Sequence, residues 1–330
     1  MKTRRTVLLI FMTLACLSGI NAQDVIYSQF YANPLYLNPA LAGAKLSQRI
    51  TLDYRNQWPS IKNGYVSYSA TWDQSFDKLS GSLGVITNAD VGGGGVYNKF
   101  SVSGIYSYRL QLTRQITVNA ALQAGYMQQK LDWNRLVFGD QIDAFSGKLS
   151  PTQERLRPKP SISNVDFSAG LLAGYKEGLY LGVALNHLTN PNISFYEGDV
   201  VKLPFRWTVH SGILIDFKNG MDGDGLKNFS VSPNVVYVQQ GKFHQLNAGM
   251  SASIYPLIAG LWLRHNFGNP DGMIVMLGFQ QKGYKIGYSY DYTISKLTNR
   301  SGGAHEITMT WIFNKTANVH NFCEMRDPNF

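Results

Sequence analysis

The sequence predicts an all-β fold, a transmembrane antiparallel β-barrel of about fourteen strands with an N-terminal plug or clamp segment. Charged residues make up only 15% of the 330 residues, well below the roughly 25% of soluble domains. Aromatic residues contribute 13%, and 32 positions are glycine. Apolar and polar residues also alternate with a period of two over stretches of about ten residues, as strands of outer-membrane barrels do.

The first 22 residues predict a cleaved signal peptide. A basic start with Lys2, Arg4 and Arg5 precedes an apolar run over 6–17, and small residues lead up to Gln23. The run is too short to cross a bilayer as a helix. Lipidation at Cys16 is the alternative interpretation, although the residues before it match a lipobox poorly.

The charge pattern excludes some functions. The formal net charge is +9, without a run of like charges, so no nucleic-acid partner is expected. After cleavage only Cys323 remains, and one cysteine cannot form an internal disulfide. The six histidines lack metal-ligand spacing, and no nucleophile motif occurs. We therefore expect neither a cofactor nor a metal, and no enzymatic activity.

Residues 23–47 form an unusual apolar segment that contains two Asn-Pro pairs, Asn33-Pro34 and Asn38-Pro39. Proline moves the preceding residue out of the α region, so we expect no helix here. The segment is rich in aromatic and aliphatic residues and needs a surface to pack against. It could plug the barrel, clamp the seam between the first and last strands, or present a surface to a periplasmic partner.

The alternation is clearest in four segments. Over 284–295, Tyr and Ile residues occupy one face and Lys, Gly, Ser, Asp and Thr the other. The segments 100–112, 116–127 and 306–313 repeat the pattern. The polar face carries Ser, Thr, Gly, Asn and Gln with few charges, which suits a crowded lumen better than open solvent.

Turn signals divide the chain into fourteen candidate strands, although twelve remain possible because the third, eleventh and twelfth are less regular. Their predicted spans are 48–57, 64–75, 80–89, 98–112, 115–132, 165–176, 179–190, 205–218, 229–240, 243–255, 258–267, 272–282, 284–297 and 304–314. Links after even strands are mostly short and predict periplasmic turns, whereas 133–164 and 191–204 predict outer loops. The predicted domains are 1–22 (signal peptide), 23–47 (motif segment), 48–315 (barrel) and 316–330 (periplasmic tail).

The start of the mature chain, from Gln23 through Gly43, resembles the PorP/SprF family of the Bacteroidetes. That family begins with a comparable "Q-D-x-x-[FY]-S-Q-[FY]…N-P-x-x-x-N-P-A-x-A-G" pattern. The closing strand also resembles the family at Gly303, His305 and Glu306, whereas the tail around Cys323 is longer and more acidic than usual. The motif residues that carry the resemblance at the start are Gln29, Phe30, Asn33, Pro34, Leu37, Asn38, Pro39, Ala40 and Gly43.

The resemblance implies an outer-membrane barrel of the type IX secretion and gliding system. Such a protein assists the export and surface attachment of a secreted adhesin, or another protein, with a type B C-terminal sorting domain. Some members belong to the core machinery and contact its periplasmic components. Two alternatives outside the resemblance are a diffusion channel or hydrophobic-ligand transporter, and an outer-membrane enzyme that acts on lipid.

Two further motifs favour structural interpretations. His305 and Glu306 are adjacent on a strand, so their side chains point to opposite faces and cannot act as an acid–base pair. We expect Glu306 to face the lumen and to bond a basic neighbour. Asp222 and Asp224 lie in a Gly-rich turn, and calcium binding there stays open because a full EF-hand loop is absent.

Overall fold

The computed structural model describes residues 23–142, 150–152, 159–176, 178–217, 229–267, 269–294 and 302–315. This part of the chain forms a closed barrel of fourteen antiparallel strands. The strands are β1 Ser47–Gln57, β2 Tyr65–Phe76, β3 Gly81–Gly92, β4 Tyr97–Gln111, β5 Ile116–Leu131, β6 Ser161–Tyr175, β7 Leu179–Asn186, β8 in two segments (Arg206–Ile213 and Ile215–Phe217), β9 Phe229–Gln240, β10 Phe243–Ile254, β11 Leu257–Asn266, β12 Asn269–Gln281, β13 Tyr284–Thr293 and β14 Ala304–Lys315.

Closure of the barrel comes from the first and last strands. β1 pairs with β14 in an antiparallel ladder that runs from Ser47↔Lys315 to Gln57↔Ala304. Every other strand pairs with its sequence neighbours. A closed ladder has no edge, and it satisfies the backbone hydrogen bonds that lipid cannot.

The barrel wall confirms the predicted alternation. In β5, Leu122 is 70% exposed on the outer face, whereas Asn119 is 1% exposed on the inner face. In β13, Tyr288 and Tyr292 face outward and Ser289 is fully buried inside. The outer wall is therefore apolar and aromatic, and the inner wall is polar, the reverse of a soluble sandwich.

The strand count of fourteen is confirmed, with some differences at the boundaries. The sixth strand begins at Ser161, before the predicted 165. The seventh ends at Asn186 instead of 190, because the backbone turns at His187, whose φ is 62°. The eighth is interrupted at Leu214, whose N–H donates to the carbonyl of Gly178.

The two ends of the barrel differ. At the short-turn end lie both chain ends of the barrel and tight links such as Tyr255-Pro256 and Lys282-Gly283. At the long-loop end lie the connections β5–β6 and β7–β8, and the first of these contains the 3₁₀ turns Trp133–Arg135 and Gly139–Gln141. Asp222 and Asp224 fall outside the described residues, as do 1–22 and 316–330.

The prediction that the Asn-Pro segment contains no helix was wrong. Pro34–Leu37 forms one α-helical turn and Pro39–Leu41 a 3₁₀ turn. Both asparagines do leave the α region, but each precedes a helical turn whose first residue is proline. Proline is favoured at that position because its fixed φ suits a helix and its missing N–H is not needed. No helix among the described residues is both long and apolar enough to cross a membrane.

The outward face of β5 gives a first prediction. Leu122→Arg places a charge near the middle of the lipid-facing wall and should cost about 2–4 kcal/mol of unfolding free energy in lipid vesicles. Leu122→Phe, which keeps the position apolar, is the matched control. Denaturant titration measures both. A cost for Leu122→Arg within about 0.5 kcal/mol of zero, as for a water-exposed position, would contradict a lipid-facing wall.

Candidate functional site

Residues 23–46, called the lumen segment from here on, lie inside the barrel. Leu35 and Asn38 are at most 1% exposed, and the segment shares one apolar cluster with the inner wall. Asp24 contacts wall residues at the long-loop end, and Gly43 contacts the β2–β3 hairpin at the short-turn end. The segment therefore runs through the lumen from one end of the barrel to the other.

Aromatic contacts join the lumen segment to the wall. The ring of Phe30 meets that of Trp262 edge-to-face at 5.8 Å, and Tyr31 meets Tyr180 at 6.2 Å. Trp262 points inward and donates to the Asn234 side chain at 2.7 Å. Trp262 is therefore part of the lumen cluster and not of the lipid-facing wall. A buried aromatic side chain typically stabilises by about 1.5–3 kcal/mol, so these contacts hold the segment firmly.

Asn38 binds the wall where two glycines make room for it. Its side-chain amide donates to the carbonyls of Leu171 at 3.0 Å and Val183 at 3.3 Å, and lies 3.1 Å from His210 Nε2. A Cβ at Gly170 would lie 2.1 Å from Asn38 Oδ1, and one at Gly182 would lie 2.9 Å from Asn38 Nδ2. Asn38 also caps the following turn, because its Oδ1 accepts from the N–H of Ala40.

The two Asn-Pro pairs have different structural roles. Asn33 is equally buried, but neither polar atom of its side chain has a hydrogen-bond partner among the described residues. Its backbone carbonyl accepts from Leu37 and so begins the helical turn at Pro34. Asn33-Pro34 shapes the segment, whereas Asn38-Pro39 attaches it to the wall.

Gly43 anchors the segment at the short-turn end. Its N–H donates to Asp73 at 2.7 Å, and its carbonyl accepts from Ser75 at 3.0 Å and Arg109 at 2.5 Å. Its φ is +67°, and a Cβ there would lie 1.8 Å from the hydroxyl of Ser82. Glycine is required at this position for both its conformation and its space.

Glu306 anchors the segment at the seam. Its carboxylate accepts the backbone N–H groups of Ser28 at 2.7 Å and Gln29 at 2.8 Å. Arg55 on β1 donates to the same carboxylate at 3.0 Å. One side chain of β14 therefore ties together the first strand, the last strand and the lumen segment.

The ion pair between Arg55 and Glu306 is part of a larger network of buried charges on the same side of the lumen. Asp291 on β13 accepts from Arg55 at 3.3 Å and also from Arg264 of β11. Arg264 in turn donates to Asp271 at 2.6 Å. Each buried charge thus has an opposite charge in contact, which offsets its loss of hydration.

Asp24 anchors the opposite side of the long-loop end. Its carboxylate lies 2.6 Å from both Lys99 Nζ and His187 Nε2, and Gln240 donates to it at 3.1 Å. His187 Nδ1 lies 2.6 Å from Asp166. Burial alone would raise the pKa of Asp24, but the charges of His187 and Lys99 outweigh it and hold this pKa well below its usual range.

The same contacts set the charge of His187. Burial works to lower its pKa, but Asp24 and Asp166 on either side of the ring outweigh burial and raise it.

Tyr36 joins this region to the rest of the lumen segment: its hydroxyl donates to the Val25 carbonyl at 2.5 Å and accepts from Arg206 at 3.0 Å. Burial raises the pKa of Tyr36 to about 12, so it stays neutral.

The closing-strand residues do not converge on one site. His305 faces outward, where its Nδ1 lies 2.7 Å from the hydroxyl of Tyr288, while Glu306 faces inward. Gly303 adopts φ +67°, and its carbonyl accepts from the N–H of Trp58 at 2.8 Å. His305 and Glu306 therefore have no geometry for joint acid–base chemistry.

Among the predicted motif residues, those at the N-terminus all lie in the lumen. The structure adds wall partners that the motif did not indicate: Arg55, His187, Arg206 and His210. Arg55 and Arg206 are charged residues at inward-facing positions of their strands. The two-residue alternation of inward and outward positions could have identified them. Within the described ranges, no group of three or more His, Cys, Asp and Glu side chains is arranged to hold a metal.

Comparison with known proteins identifies the family. A family model described as the type IX secretion system membrane protein PorP/SprF matches residues 20–311. The chain belongs to the PorP/SprF family. The resemblance of the Gln23–Gly43 motif to this family is confirmed, and this PorP/SprF membrane protein forms a closed β-barrel over its described residues. No curated protein matches the chain.

The search of solved structures finds outer-membrane proteins that are similar to this PorP/SprF protein. Omp33 of Acinetobacter baumannii is 10% identical with a TM-score of 0.45, and the match covers 82% of this chain and 100% of that one. A deletion mutant of the monoaromatic hydrocarbon channel TodX is 11% identical with a TM-score of 0.46, covering 84% and 92%. A Pseudomonas aeruginosa FadL homologue is 9% identical with a TM-score of 0.40, covering 81% and 90%.

Removing the charge at the seam should destabilise the barrel. Glu306→Gln removes one of the two carboxylates that contact Arg55 and the charge that accepts from the N–H groups of Ser28 and Gln29, and we expect a loss of about 3 kcal/mol. Denaturant unfolding in vesicles measures it. His305→Gln, one residue away on the outer face, is the control and should change stability by less than about 0.5 kcal/mol. Equal effects of the two substitutions would contradict the assigned role of Glu306.

The Asp24–His187 contact should make stability depend on pH. The pKa of His187 is raised on folding, so its contribution is complete below its ordinary value of 6.5 and is lost as pH rises through the raised value. The pKa of Asp24 is lowered from 3.8, so its contribution is lost only as pH falls through that lowered value. Unfolding free energy should therefore decline as the pH rises above 6.5, and the decline should be smaller in His187→Gln. Identical pH profiles would refute the contact.

Proposed function

We propose that this PorP/SprF protein is a non-enzymatic outer-membrane barrel that assists export and cell-surface attachment of a secreted protein with a type B C-terminal sorting domain. The observation that carries the proposal is the filled lumen. The family motif itself occupies the barrel from end to end, with Asn38, Gly43 and Gln29 each bonded to the wall. Because the lumen is blocked, we infer that the barrel functions by binding partners at its two ends and not by transport through the lumen.

The two ends suit different partners. Short turns of bacterial barrels face the periplasm and longer loops face outward, so the long-loop end would meet the secreted protein at the cell surface. The short-turn end, where Gly43 and Arg109 lock the lumen segment, would face periplasmic secretion components. The lipid bilayer contacts the apolar outer wall between them. This arrangement supports the anchor role and leaves the core-machinery role as an outcome of the test.

The lumen contacts disfavour the channel and transporter alternative. A channel would need the lumen segment to leave the barrel, and that would strip Glu306 and Asp24 of buried partners. In planar bilayers we therefore expect no steady conductance from the purified protein. Glu306 is not available as the acid or base of a lipid-enzyme, because its carboxylate already accepts from Arg55 and from the N–H groups of Ser28 and Gln29.

Affinity purification of the native protein tests the proposed function. Mass spectrometry should recover a large secreted protein with a type B sorting domain, and the isolated sorting domain should bind the purified barrel in detergent. A sorting domain of the shorter type A class is the control and should not bind. Recovery of periplasmic machinery alone would support the core role instead. Recovery of neither, together with steady conductance, would overturn the proposal.

A further inference from the structure

A cavity of about 520 Å³ lies at the long-loop end, above the lumen segment. Residues 23–26 form one side of it, and strands β1, β4, β10 and β11 contribute much of the remaining wall. The volume falls within the range of about 300–1,000 Å³ typical of small-molecule sites. None of the anchoring contacts described above fills this space, which we call the vestibule.

The charges around the vestibule balance one another. Arg264 pairs with Asp271 at 2.6 Å, and Lys99 pairs with Asp24 at 2.6 Å. Asp90 lies directly opposite Lys99 in the β3–β4 ladder. Arg55 is already paired with Glu306. A ligand with a net charge would therefore have to compete with existing ion pairs, so a neutral ligand fits this site best.

Polar side chains of the vestibule supply hydrogen-bonding groups of both kinds. Gln57, Gln245 and Asn266 carry amides, which offer N–H donors and carbonyl acceptors. A hydroxyl group can accept from an amide N–H and donate to an amide oxygen. The hydroxyl groups of a neutral ligand therefore match this lining.

Aromatic side chains complete the lining. Trp58, Tyr65, Tyr97 and Phe243 border the vestibule, alongside the amide-bearing Gln57 and Gln245. Aromatic rings offer apolar surfaces to the C–H faces of a ring-shaped ligand, while planar amides and guanidinium groups bond its hydroxyls. A neutral polyol with apolar ring faces is a saccharide.

We propose that the vestibule is a binding site for a short neutral saccharide, with Trp58 as the stacking surface and with the side-chain amides of Gln57 and Asn266 as hydrogen-bonding groups. The proposal goes beyond the secretion role and does not depend on it. The site opens at the end that carries the long loops, so its ligand would come from the outer face of the cell.

Titration of the purified full-length mature barrel with neutral trisaccharides tests this inference. Maltotriose, cellotriose and tri-N-acetylchitotriose are the probes, followed by isothermal titration calorimetry and tryptophan fluorescence. The detergent must be an amine oxide, because maltoside headgroups are themselves saccharides. We expect saturable binding of at least one probe. Asn266→Ala and Trp58→Ala should each weaken its affinity at least tenfold.

Controls separate the site from general effects on the barrel. Gln115→Ala, on a turn at the opposite end, should leave affinity unchanged. Unfolding midpoints of all variants show whether each barrel is intact, and Asn266→Asp provides a second change at this side chain if Asn266→Ala fails to fold. Absence of saturable binding to every probe would overturn the proposal. Saccharide binding whose affinity is unchanged by both Asn266→Ala and Trp58→Ala would also overturn it. Preferential binding of a neutral tetrapeptide at the same residues would overturn it as well.

Discussion

The polar inner wall is the constraint on which the rest of this structure depends. The apolar residues of every strand face the lipid, so the residues that alternate with them face the lumen. These polar residues need hydrogen-bond or ion-pair partners there. A fourteen-stranded barrel is wider than the small barrels whose own side chains fill the interior. The lumen segment supplies what the wall lacks: apolar side chains such as Leu35 for the middle, and backbone N–H groups for Glu306.

The contacts that anchor the lumen segment differ in chemical type along the length of the barrel. At the short-turn end, Gly43 makes direct backbone hydrogen bonds in a space that no side chain could share. In the middle, Asn38 behaves like a piece of backbone and bonds wall carbonyls over two glycines. At the long-loop end, Asp24 and the N–H groups of Ser28 and Gln29 meet buried charges. One continuous segment therefore matches three different environments.

Much of the fold could be predicted from the sequence, because lipid imposes a strict two-residue period that turn residues interrupt. Strand boundaries differed where the backbone turned early, as at His187, or where a strand broke, as at Leu214. The helical turns at Pro34 and Pro39 do not follow from the role of proline as a helix breaker, because proline is also favoured at the first position of a helix. Partners such as Asp24 and His187 are 163 residues apart, and no local pattern reports such a contact.

Hydrogen exchange of the lumen segment in lipid tests the central claim most directly. The amides of Ser28, Gln29, Ala40 and Gly43 all donate to buried acceptors, so mass spectrometry should show them protected for as long as amides of the barrel strands. A segment that lay outside the barrel, or moved freely within it, would exchange these amides within seconds. That result would contradict a lumen filled by its own N-terminal motif.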